Sequence, residues 1–107
     1  MGNIYEETNR PEDAIKSYLA VLSINPDFAQ AHFTLGNIYK KLNKPEDAID
    51  EYLKELRINP DSTETRINLG LLYKDQRMLT EAINEFKESL KRKPNDFVVH
   101  YHLWGDL

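Results

Sequence analysis

Apolar residues recur along the chain three and four positions apart, as in Phe33, Leu35, Ile38, Tyr39 and Leu42, and again in Ala48, Ile49, Tyr52, Leu53 and Leu56. That spacing gathers them into one stripe of a helix. Between the two runs stands Leu42-Asn43-Lys44-Pro45. Asn takes the left-handed conformation that ends a helix, and Pro suits the first turn of the next. Asn9-Arg10-Pro11 repeats that chemistry. The second run of each pair ends at Ile24-Asn25-Pro26-Asp27 or Ile58-Asn59-Pro60-Asp61, where each proline biases the preceding Asn out of helical geometry. Asp27 and Asp61, with Ser62 and the pair Asn95-Asp96, are expected to start the helices that follow by accepting hydrogen bonds from unpaired N–H groups. The pattern predicts helices only, near 1–8, 11–24, 28–42, 45–58, 62–75, 79–92 and 96–105.

The pattern is also periodic. A shift of 34 residues superposes Gly2, Gly36 and Gly70, then Tyr5, Tyr39 and Tyr73, then Ala14, Ala48 and Ala82. Pro26, Pro60 and Pro94 close the units. One repeat domain over 1–107 is expected, with units about 1–28, 29–62 and 63–96 and a terminal helix 97–107. The first unit lacks the opening turns that Ala29 to Thr34 supply in the second, so the chain is expected to be an excerpt of a longer protein. Uncapped repeat ends expose apolar faces. Ile4, Tyr5 and Tyr18 at one end and Val99, Tyr101, Leu103 and Trp104 at the other make homo-oligomers through these ends an expected possibility.

The spacing His32-x2-Leu35-Gly36-x2-Tyr39, then Ala48-x3-Tyr52 and Pro60, resembles the tetratricopeptide repeat, whose pattern has Trp where His32 stands. Arg66-x2-Leu69-Gly70-x2-Tyr73, Ala82-x3-Phe86 and Pro94 match it equally well. The resemblance implies an all-α fold: a right-handed superhelical solenoid of antiparallel helix pairs, about three repeats with the first truncated, plus a terminal helix. Gly36 and Ala48 would let the two helices approach closely while Tyr39 and Tyr52 fill the space beside them.

Composition narrows the chemistry. Fourteen Lys+Arg stand against 18 Asp+Glu, a net charge of −4, with 40% hydrophobic residues and no Cys. That balance suits a packed domain, argues against nucleic acid as a partner, and excludes disulfides, thiolate metal sites and a cysteine nucleophile. No apolar run is long enough to span a membrane, and the expected compartment is cytoplasmic. His100 and His102 are two apart, so a helix turns them away from one another, and the three histidines read as structural or surface groups. Glu12-Asp13 and Glu46-Asp47 follow Pro in first helical turns and suit the helix dipole; Lys91-Arg92-Lys93 does the same for a last turn. No catalytic arrangement is legible, so neither an enzyme nor a cofactor is expected.

The resemblance further implies that the first helices of successive units line a concave face that binds peptide segments. On this chain that projection selects Asn3, Phe33, Thr34, Asn37, Lys40, Lys41, Ile67, Asn68, Leu71, Lys74, Tyr101 and His102. Asn side chains can donate and accept together along an extended peptide, and Phe33, Ile67, Leu71 and Tyr101 offer an apolar strip. Packing against neighbouring helices is the alternative role for Phe33 and Tyr101. A branch of the family grips the C-terminal carboxylates of heat-shock chaperones with Lys, Asn, Asn, Lys and Arg. Here Asn37 and Asn68 fit, but Phe33 and Val98 occupy the lysine places and His102 the arginine place, so chaperone-tail binding is not expected. The expected role is a noncatalytic scaffold for a protein or peptide partner, with self-association or spacing within a larger protein as the alternative.

Overall fold

The computed structural model describes residues 11–104, and every regular element among them is a helix. The elements are α1 (Pro11–Ile24), α2 (Ala29–Lys41), α3 (Pro45–Ile58), α4 (Thr63–Asp75), α5 (Leu79–Arg92) and α6 (Phe97–Trp104). Each agrees with the sequence expectation to within a residue or so. The expected helix at 1–8, and with it Gly2, Asn3, Ile4 and Tyr5, lies outside the described residues. The chain divides into two compact units, Met1–Ile58 and Asn59–Leu107.

In the first unit α2 and α3 form a hairpin across Leu42-Asn43-Lys44, and α1 packs on α2. So short a connection forces the two helices antiparallel. The hairpin is set by Asn43, which adopts φ 59°. Its N–H donates to the Lys40 carbonyl (3.1 Å) and the Lys44 N–H to the Tyr39 carbonyl (2.9 Å), which satisfies carbonyls the helix leaves bare. The second unit repeats this device between α4 and α5, with Arg77 at φ 62° in place of Asn. There the Met78 N–H reaches the Tyr73 carbonyl at 2.8 Å.

The helix starts differ in part from the sequence expectation. Phe28 rather than Asp27 occupies the N-cap position of α2, and Ser62, one of the expected entries, occupies that of α4; neither makes a side-chain cap bond. The Pro-Asp turn explains this. The Phe28 and Ser62 N–H groups each donate back to the Asn carbonyl three residues earlier (3.2 Å), leaving Asp one place short of the cap. Only at α6 does the carboxylate reach: Asp96 Oδ1 accepts from the N–H of Val98 (3.0 Å) and of Val99 (3.4 Å).

Each hairpin closes on a small residue facing a ring. A Cβ on Gly36 would lie 2.5 Å from Tyr52 Cε1, and one on Gly70 would lie 2.6 Å from Phe86 Cε1, closer than packed carbons approach. Ala48 and Ala82 are fully buried in α3 and α5. Leu35, Ile38 and Tyr52 fill the first core; Leu69, Phe86 and Val99 fill the second. Val99, expected on an uncovered terminal helix, is buried, whereas Phe97 is 83% and Tyr101 62% exposed.

Candidate functional site

A polar residue stands where the repeat pattern has Trp, and in both units it pins the chain. His32 on α2 is 6% exposed. Its Nε2 lies 2.8 Å from the Pro26 carbonyl and its Nδ1 2.7 Å from Glu51 Oε1 on α3. A carbonyl can only accept, so Nε2 donates to it, while Nδ1 pairs with the carboxylate. In the second unit Arg66 takes the same place, its Nη2 donating to the Pro60 carbonyl (2.9 Å) and its Nη1 to Glu85 Oε1 (3.0 Å). His100 Nε2 donates to the Pro94 carbonyl at 2.8 Å. The side chain therefore ties the inter-repeat proline turn to the second helix of the hairpin. The signal for it was the recurrence of Pro26, Pro60 and Pro94, of His32, Arg66 and His100, and of Glu51 and Glu85.

The first helix of each hairpin carries the residues projected to face a ligand. On α2, Phe33, Thr34 and Asn37 are half-buried while Lys40 and Lys41 are exposed. Phe33 and Asn37 share a side of the helix, four positions apart. Both are held by the same ring: the Phe33 centroid lies 6.1 Å from that of Tyr52, and the Tyr52 hydroxyl donates to Asn37 Oδ1. With its carbonyl engaged, the Asn37 amide keeps its two N–H donors. On α4, Ile67, Asn68, Leu71 and Lys74 are half-buried. Here Phe86 stands where Tyr52 stood and Leu71 where Asn37 stood, so hydroxyl and amide have been replaced together by apolar groups. His102 stacks on Phe86 (centroids 5.7 Å, 12° between planes), and Tyr101 meets His102 edge-on. His100 and His102 thus turn to different partners, one to a carbonyl and one to a ring. Asn3 lies outside the described residues.

Charges near these helices are largely committed. Lys91 reaches Glu88 (2.8 Å), while Arg92 reaches Asp61 (3.0 Å) and Glu88 (3.2 Å). Hydrogen bonds from Lys91 and then Arg92 hold the Glu88 carboxyl below its ordinary value. Burial pushes the Glu85 carboxyl up, and the hydrogen bond and charge of Arg66 only partly oppose this. Burial, then Glu51 and Asp47, raise the Tyr39 phenol. Among the described residues no three His, Asp or Glu side chains converge as a metal site, and no helix is long and apolar enough to cross a membrane.

A family model described as a TPR repeat matches residues 2–43 and 36–76, and one described as a tetratricopeptide repeat matches residues 63–96. No curated protein matches the sequence. Among solved structures, one of the MamA protein is 25% identical with a TM-score of 0.81, covering 87% of this chain and 51% of its own. A second MamA structure is 23% identical with a TM-score of 0.84, covering 97% and 64%. This chain therefore spans about half to just under two-thirds of the MamA chains. The first TPR of Spaghetti (RPAP3), bound to the HSP90 peptide SRMEEVD, is 22% identical with a TM-score of 0.85, covering 95% and 81%.

Proposed function

Since the chain belongs to the tetratricopeptide-repeat family, we propose that it is a noncatalytic interaction module taking a peptide segment of a partner protein on the outward faces of its first helices. Members of this family generally serve as protein-interaction modules without catalysis of their own. The observation that carries the reading is the immobilised pair on α2. Tyr52 fixes both Phe33 and Asn37 from beneath, so an apolar surface and two amide donors stand ready before any ligand arrives. Such preorganisation lowers the ordering cost of binding. Lys40 and Lys41 extend that strip with positive charge, and Ile67, Asn68, Leu71 and Lys74 supply the corresponding strip on α4.

The peptide-bound Spaghetti domain supports peptide capture as the kind of activity, not its ligand. Phe33, Val98 and His102 replace the cations that grip a chaperone tail, and this chain favours a segment with apolar side chains and exposed backbone carbonyls. Selection of an unbiased peptide library against the 107-residue chain tests the reading. Counter-selection uses Asn37→Ala/Asn68→Ala/Lys40→Glu/Lys74→Glu, first shown to be folded by circular dichroism. A consensus lost on the variant is the expected outcome; a consensus retained by it, or none at all, overturns the reading in favour of spacing or self-association.

A further inference from the structure

The first unit holds an open notch of ≈ 370 Å³ away from the Phe33–Asn37 strip. Its apolar lining comes from Leu19 and Leu22 on α1 and Ile58 on α3, with Lys54 and Arg57 of α3 beside them. Leu19 is 46% exposed, a large share for a leucine next to a core residue such as Leu22. The size lies at the low end of ligand cavities, suited to a residue or two of peptide.

The second unit carries different side chains at two of these repeat positions. One repeat later Arg66 replaces His32 and Arg92 replaces Ile58. The longer Arg66 reaches both the Pro60 carbonyl and Glu85, and Arg92 spans from Glu88 to Asp61. Asp27, the counterpart of Asp61, lines the notch together with Ile58, which has no charge to offer it. The first unit thus carries an imidazole and an apolar side chain where the second carries two tied guanidinium groups.

The charges left at the notch are selective. Glu51 is engaged by His32 at 2.7 Å, and Lys54 lies 3.4 Å from the other oxygen of Glu51. No ion pair among the described residues reaches Arg57, although a guanidinium fork is well matched to a carboxylate. Asp27 remains as an acceptor for a peptide N–H. We propose that this notch is a second, independent docking site, taking a leucine-sized side chain of a partner's acidic peptide whose neighbouring Asp or Glu carboxylate pairs with Arg57.

The test is an NMR titration of the full 107-residue chain with the probe acetyl-Gly-Leu-Asp-Gly-amide and its neutral analogue acetyl-Gly-Leu-Asn-Gly-amide. The Asp probe should shift the amides of Leu19, Leu22, Arg57 and Ile58 and bind about tenfold more tightly than the Asn analogue. His32→Arg/Ile58→Arg, which rebuilds the second unit's arrangement in the first, should abolish those shifts while keeping native amide dispersion. Should that variant fail to fold, Arg57→Gln carries the test with an expected loss of about tenfold for the Asp probe and none for the Asn analogue. Equal affinity for the two probes, shifts confined to the α2 strip, undiminished binding by the closed variant, or no shifts at about 5 mM probe each overturn the proposal.

Discussion

A buried imidazole bonded through both nitrogens cannot be exchanged for an apolar side chain of similar bulk without leaving two acceptors bare. His32→Leu strips the Pro26 carbonyl and Glu51, which is 8% exposed, of their donor. It is expected to cost about 2–4 kcal/mol in denaturant unfolding. His32→Arg should stay within about 1 kcal/mol, because Arg66 makes the same two contacts; an unchanged midpoint for His32→Leu contradicts the clip. Glu85 gives a pH test. Burial raises its carboxyl above 4.5 despite Arg66, so the fold favours its protonated form relative to the unfolded chain. Its contribution to stability is complete below the unfolded value and is lost as pH rises through the raised folded value. Glu88, lowered by Lys91 and Arg92, acts oppositely: its contribution is present above the unfolded value and lost as pH falls. Arg66→Gln should move the Glu85 carboxyl titration further up in NMR, and a downward movement would contradict the balance described. The recurrence of the clip's residues was legible beforehand, but their contact was not. His32 read as structural or surface, but its tie to Glu51 spans nineteen residues and two helices, a contact that periodicity along one helix does not reveal.

At the scale of elements, each hairpin depends on one bare backbone and one left-handed residue. Gly36→Leu drives a side chain into the fully buried Tyr52 ring, whose hydroxyl is tied to Asn37. A loss of about 1–3 kcal/mol is expected by chemical denaturation; an unaltered midpoint would show that the helices are not in close contact there. Arg77 holds φ 62° where Asn43 holds φ 59°. Because Asn tolerates the left-handed region better than Arg, Arg77→Asn should stabilise the chain by about 0.5–1 kcal/mol, read as a higher melting midpoint. A lower midpoint would mean that the Arg side chain contributes more than its backbone strain costs. Helix extents were legible because Asn-x-Pro and Asn-Pro-Asp act locally. The N-cap at Phe28 was not, because a backbone hydrogen bond to Asn25 fixes the start before the Asp27 side chain can compete.

For the molecule as a whole, the recurrence of Gly, Tyr, Ala and Pro at 34-residue spacing carried the family and the all-helical fold. The residues that distinguish one unit from the next carry the proposed binding chemistry. Asn37 with Tyr52 becomes Leu71 with Phe86, and His32 with Ile58 becomes Arg66 with Arg92. Such paired exchanges are visible in the sequence, but their meaning needs the contacts, since each pair joins separate helices. They make the two units chemically unlike while their backbones repeat. NMR mapping of a library-selected peptide on the 107-residue chain tests the central claim most directly. The account predicts amide shifts centred on Phe33, Thr34, Asn37 and Lys40 of α2 and Ile67, Asn68 and Leu71 of α4, abolished by Asn37→Ala/Asn68→Ala/Lys40→Glu/Lys74→Glu. Shifts confined to the second helices α3 and α5, with binding undiminished in that variant, would contradict it.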